Sequence, residues 1–159
     1  ACRPRGVRIY TTVVVRDTPL YDMWRRGEYR EHTVEEAAEW CSEIVPYFEN
    51  RGIEIVRLGL NPSEELSGGD AAAGAYHPAF GQIVYSKIML DNISAAITGD
   101  TRGSCAVIGV SPGGISTAVG QKRGNINCLM EKFGFADVKF VELPQLRRGD
   151  FKIISIEKQ

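Results

Sequence analysis

Two arginines, one histidine and a short basic run are the side chains of this sequence best suited to chemistry. Arg16 follows the apolar run VRIYTTVVV (7–15), and Arg57 stands inside IEIVRLGL (53–60). A guanidinium at the carboxyl end of a parallel strand grips a carboxylate or phosphate with two N–H bonds. The same residue can equally be a charge that snorkels at a strand end. His77 lies in AYHPAF (75–80), after a Gly/Ala run and before a helical pattern. There it is an acid, base or ligand, or it only caps the helix. The one other histidine is His32, so a multi-His metal site is not available. Lys122, Arg123 and Asn125 occur in GQKRGN (120–125), downstream of Gly113-Gly114. Exposed amides at a helix start plus two cations would make a phosphate cradle. The alternative is a solvated glycine turn with Asn125 or Ser116 as cap. Tyr21, Trp24, Tyr29 and His32, interleaved with Arg25, Arg26 and Arg30, either stack on a nucleotide or pack a short helix onto its neighbour. The orders GxxxxGK[ST], HExxH and GxGxxG are all absent, so nothing here makes a self-sufficient catalytic centre.

The chain that must position these residues has 159 residues, a net charge of -1, and 43% hydrophobic and 25% charged residues. That is ordinary globular usage, which excludes disorder and low complexity. A chain of this length buries roughly 70% of its unfolded surface, so it needs no disulfides. The charge balance excludes a globally basic nucleic-acid binder but leaves room for a local basic patch. Cys2, Cys41, Cys105 and Cys128 are separated by 39, 64 and 23 residues, too far for a CxxC-type site. Scattered cysteines read as reduced and cytoplasmic. No apolar run reaches the ~20 residues of a membrane span. The start Ala-Cys-Arg-Pro, with no Met and a strand close behind, suits a piece cut from something longer.

Residues 7–15 are β-branched and aromatic and predict one strand. Asp17-Thr18-Pro19 predicts a cap and a short helix over 20–26. Thr33 and Glu36 make a T-x-x-E capping box, and Val34, Ala37, Ala38, Cys41, Ile44, Val45 and Phe48 follow on one helical face. Pro46 predicts a kink and Gly52 a stop. A strand over 53–60 completes a βαβ unit of a parallel sheet. Residues 61–81, rich in glycine, predict a long loop. A helix over about 78–98 follows, and GDTRG (99–103) is the strongest linker signal. Then come a strand (105–110), a turn (111–114), a helix ending at Gly134, and two strands (138–141 and 151–156) around RRGD. The fold class expected is α/β: a βαβα unit to about residue 98, then a small α+β unit.

The run VVVRDTPLYDMWRRGEYREHTVEEAAEWC, with GIEIVRLGLNPSEEL, AYHPAFGQIV and the later VGQKRGN, resembles the C-terminal part of bacterial radical S-adenosylmethionine proteins. The group is similar to the catalytic subunit of Elongator and to proteins described as oxygen-independent coproporphyrinogen III oxidase-related. The resemblance implies that 1–98 are the last βα units of a partial (β/α) barrel and that 104–159 form a small α+β C-terminal domain. It implies S-adenosylmethionine and a [4Fe-4S] cluster for the whole protein. The cluster's three-cysteine loop lies far upstream in such proteins and is absent here, so the piece itself would hold neither group and be inactive alone. Matched strand by strand, Arg16, Arg57, Leu58 and Leu60 would contact the cosubstrate, and His77 would line the barrel mouth. The rival reading is a phosphate- or RNA-binding module of a tRNA-modifying protein, in which Lys122, Arg123 and Asn125, with Arg102, would hold the RNA backbone. The partners implied are the N-terminal remainder of the protein, tRNA and a second copy joined through exposed sheet edges, with no membrane. Nothing after residue 100 suggests the acetyltransferase domain found in Elongator.

Overall fold

The computed structural model describes residues 4–61 and 69–158. It is mixed α/β and divides into two compact units, Ala1–Val84 and Tyr85–Gln159.

In the first unit, β1 (Gly6–Ile9) pairs in parallel with β3 (Glu54–Leu58), as the βαβ pattern requires. The crossover contains two helices, α1 (Pro19–Arg25) and α2 (Val34–Glu49). Both start where a cap tells them to. Thr18 Oγ1 accepts from the Tyr21 amide at 3.2 Å, with Pro19 in the first turn. Thr33 Oγ1 accepts from the Glu36 amide (3.1 Å) while the Glu36 carboxylate accepts from the Thr33 amide (2.9 Å). Helix α2 runs through Pro46 and ends when Gly52 turns left-handed, letting the Ile53 amide reach back to the Phe48 carbonyl at 3.1 Å. It buries Ala37, Ala38, Cys41 and Val45.

The capping box makes a pH prediction. Hydrogen bonding from Thr33, aided by Arg30, holds the Glu36 carboxyl below its ordinary 4.5. A depressed carboxylate stabilises the fold above its unfolded value and loses that contribution as pH falls through the folded value. Helicity followed by far-UV circular dichroism should therefore decline on acidification below about pH 4.5. Glu36→Gln should lose that component of the titration, and an unchanged acid titration in the variant would count against the box.

The expected single strand over 7–15 is two strands. Residues 10–12 break it because the chain changes partners: β2 (Val13–Val15) pairs antiparallel with β4 (Ala71–Gly74), not with β3. Strand β4 falls in the expected loop. Its sequence, AAAG, favours helix, and only the ladder with β2 makes it extended. Residues 62–68 of that loop lie outside the described residues. Helix α3 (Phe80–Ala96) follows, and the boundary between the two units falls within it.

The second unit holds a three-stranded sheet in the order β6-β5-β7. Strand β5 (Ser104–Val110) runs parallel to β6 (Asp137–Glu142) and antiparallel to β7 (Phe151–Lys158). The crossover from β5 to β6 is α4 (Ile115–Val119), a 3-10 turn (Gln121–Arg123) and α5 (Gly124–Phe133). Alternation along β5 sends Ala106, Ile108 and Val110 into a core with Met89, Ile93, Ile97, Ile126 and Leu129. The GDTRG stretch lies inside this unit and is tied down. Thr101 is buried, with its hydroxyl donating to the Phe133 carbonyl at 2.6 Å, and the Gly103 amide donates to the Gly134 carbonyl at 2.8 Å.

Candidate functional site

Arg16 leaves β2 exposed to solvent, held by its neighbours, among them Tyr21, whose hydroxyl accepts from Nη1 at 3.5 Å. Its amide donates to the Asp70 carbonyl (2.9 Å), Nε reaches the Gly69 carbonyl (3.3 Å), and the guanidinium lies 6.0 Å from the Tyr21 ring centre. Arg57 is half-buried on β3 and donates to Asn61 Oδ1. The two arginines do not share a sheet, because β2 and β3 belong to different pairs. The register neighbour of Arg57 is instead Arg8, aligned with it on β1 beside a one-residue bulge at Val56. Like charges directly opposite are unfavourable by a few tenths to about 1 kcal/mol. Among the described residues no carboxylate pairs with either guanidinium, so the pair is suited to an anion. The sequence carried a signal for Arg8 that its reading did not use: Val7-Arg8-Ile9 and Val56-Arg57-Leu58 both set one arginine between aliphatics. Leu58 and Leu60 are half-buried around Gly59, whose amide donates to the Ile9 carbonyl at 2.9 Å.

His77 is the residue that starts α3. Its Nδ1 accepts from the Ala79 amide at 3.0 Å and its carbonyl accepts from the Phe80 amide at 3.0 Å. In the neutral ring the proton therefore sits on Nε2. Of the aromatic cluster read from the sequence, the helix pair packs on itself and His32 packs on α2. Tyr21 and Trp24 stack at 5.9 Å, and Trp24 Nε1 donates to Glu31 at 2.7 Å, while His32 meets the edge of Trp40 on α2 at 4.5 Å.

In the second unit Lys122 and Arg123 are exposed, and both adopt left-handed backbone (φ 50° and 62°). Two consecutive non-glycine residues in that region are uncommon. Among the described residues no ion pair holds either side chain. Asn125 turns inward instead. It is 8% exposed, and its Nδ2 donates to the Ser86 carbonyl (2.9 Å) and hydroxyl (3.0 Å). A buried amide needs such partners, and this requirement takes Asn125 away from the surface. The Gly113-Gly114 amides are also used. Gly113 donates to Glu142 Oε1 at 2.8 Å, and Gly114 to the Ser111 carbonyl at 2.8 Å. A carboxylate thus takes the Gly113 amide, one of those read as a phosphate cradle, while Lys122 and Arg123 remain as the basic element. Arg102 is engaged by Asp100, whose Oδ1 accepts from the Arg102 amide and from its Nε, each at 3.2 Å; the amide bond first, then the guanidinium, holds the Asp100 carboxyl below its ordinary value.

Among the described residues no three His, Cys, Asp or Glu side chains converge to hold a metal. Cys41 is buried, which pushes its thiol up, while Cys105 and Cys128 are half-buried. A [4Fe-4S] cluster needs three or four thiolates together, and these residues do not fit it. No helix among the described residues is long and apolar enough to cross a membrane.

Comparison with known families matches residues 4–89 to the Radical_SAM C-terminal domain. Elongator complex protein 3 of Mus musculus is 38% identical over 45 residues, which cover 28% of this chain and 8% of that protein. The tRNA uridine(34) acetyltransferase of Methanocaldococcus jannaschii is 49% identical over 47 residues, 28% of this chain and 9% of that protein. Its counterpart in Methanocaldococcus infernus is 41% identical over 46 residues, 27% of this chain and 9% of its own length. The matched stretches thus span less than a tenth of these relatives. No solved structure matches the chain.

Proposed function

This chain belongs to the radical SAM proteins of the Elongator catalytic-subunit type, through its Radical_SAM C-terminal domain, and on that premise we propose that it serves tRNA modification. The match over residues 4–89, alongside relatives named for tRNA uridine acetylation, carries this reading. Residues 1–98 would be the closing βα units of a partial (β/α) barrel, a placement supported by the parallel β1–β3 pair and its helical crossover. Residues 104–159 would be the α+β appendage.

Within that division of labour Arg57 and Arg16 bind the carboxylate of S-adenosylmethionine or a substrate anion, with Leu58 and Leu60 forming the apolar wall. Arg8 adds its charge to that of Arg57. When bound to the whole protein, the cluster and its cosubstrate supply the radical chemistry; the residues described here only bind and orient. His77 stays a positioning residue that starts α3. Lys122 and Arg123, both exposed, hold the RNA backbone. The N-terminal remainder of the protein completes the barrel, in the cytoplasm, and β7, a long edge strand, offers the edge through which two copies would pair. Oxygen-independent coproporphyrinogen oxidase chemistry has no support among the relatives named above.

Binding of unmodified tRNA, measured by anisotropy across a salt series, tests the reading. The logarithm of the affinity should fall linearly with the logarithm of salt concentration. Lys122→Ala/Arg123→Ala should lower that slope by roughly 1 to 2. Undetectable or salt-independent binding, or an unchanged slope in the double variant, would sink it. Anaerobic reconstitution with iron and sulfide addresses the inactive-alone part, since stoichiometric cluster uptake by this chain would refute it.

A further inference from the structure

Helix α2 carries a second apolar face besides the one it buries. Trp40, Ile44 and Tyr47 are 49%, 39% and 54% exposed. Their spacing, i, i+4 and i+7, puts them in one line about 10 Å long. Single exposed apolar residues are ordinary, but three aligned on one helix face mark an interaction surface. The line is also held at both ends. The His32 ring meets Trp40 edge-on at 4.5 Å. The Arg51 guanidinium lies 3.6 Å from the Tyr47 ring centre and donates to the Tyr47 carbonyl at 2.8 Å. Anchors ordered in advance lose less entropy on binding.

Charge says what kind of partner fits. At 100° per residue, Glu36, Glu39 and Glu43 lie along the solvent-side flank of the line, within about 100° of Trp40. Glu36 is satisfied by Thr33 and Arg30, whereas Glu43 is exposed and, among the described residues, has no ion pair. An acidic flank repels a phosphate backbone and anionic lipid headgroups, so neither a nucleic acid nor a membrane suits this face. A second copy fits poorly too. Laying α2 antiparallel on its twin, with Trp40 over Tyr47, sets the two Glu43 carboxylates against each other across the dyad. The geometry points to this face of α2 as the docking site for a basic amphipathic helix of another protein. Its apolar side chains would cover Trp40, Ile44 and Tyr47, and a lysine or arginine would stand against Glu43.

The test uses the full chain with Trp24→Phe, so that Trp40 is the sole tryptophan reporter. The probe is a helical peptide of about 18 residues made of leucine and lysine in 3.6-residue period, with a leucine–glutamate peptide of the same pattern as control. Titration of the lysine peptide should shift Trp40 emission to the blue, with affinity falling as salt rises. Ile44→Ser should weaken this binding roughly tenfold or more with helix content by circular dichroism retained. Glu43→Lys should reverse the preference between the two peptides. Equal affinity for both peptides, no binding, indifference to Ile44→Ser, or a blue shift produced by self-association without peptide would each overturn the proposal.

Discussion

Replacing Gly74 by alanine should destabilise the first unit by about 3 kcal/mol or more. Gly74 has φ of 108°, a region that side-chain-bearing residues rarely adopt. A Cβ there would sit 2.8 Å from the Thr12 carbonyl oxygen and 3.0 Å from the Val13 Cα. Those are backbone atoms of the adjoining chain, so no rotamer change relieves the contact. The only relief is to separate β4 from β2, since Gly74 is the register partner of Val13. The consequence reaches the site. The segment leading into β4 supplies the two carbonyls that hold Arg16, and the segment leaving it delivers His77 to the start of α3. Urea unfolding checks the prediction, and a loss below about 1 kcal/mol would mean that the β2–β4 ladder yields more easily than its geometry implies.

Leu129→Ala should produce the corresponding loss in the second unit, about 2 to 5 kcal/mol. Leu129 is fully buried on α5, within the cluster formed by β5, β6 and α3. Truncation removes the transfer energy of the lost carbons and leaves a cavity that a sheet on one side and helices on the other cannot close. Thermal unfolding should register the change directly. This variant also separates fold from binding. Helix α5 begins at the Lys122–Arg123 turn, so Leu129→Ala should lose tRNA affinity only as the unit melts. Lys122→Ala/Arg123→Ala should lose it with the melting temperature unmoved, because both side chains are exposed. If the double variant melts as early as Leu129→Ala, the two cations serve the fold.

Much of the fold was legible because its signals are local. Thr33 and Glu36 are three residues apart, and their reciprocal hydrogen bonds need no other part of the chain. The parallel pairing of β1 and β3 followed from two apolar strands around an amphipathic helix. The same reading correctly anticipated β5, β6 and β7 to within a few residues. The candidate site was legible only as a set of residue types. Arg57 was found because a charge in an apolar strand is conspicuous, yet its neighbour proved to be Arg8, a residue 49 positions upstream.

By itself, then, the sequence of this protein determined where its capped helices start, which strands flank a helical crossover, and which family the chain belongs to. All of these depend on spacings of a few residues, read one stretch at a time. Tertiary structure alone decided which polar groups face solvent. Pairing with β2 drew AAAG into a strand against its own helical preference. Burial beside Ser86 turned Asn125 inward, and Glu142 claimed the Gly113 amide that an outside anion would need. An unpaired polar group in the interior costs more than a single surface contact returns, so the long-range partners settle the matter. Among the described residues, what they left outside includes Lys122, Arg123 and the Trp40–Ile44–Tyr47 line, together with the exposed Arg8 and Arg16.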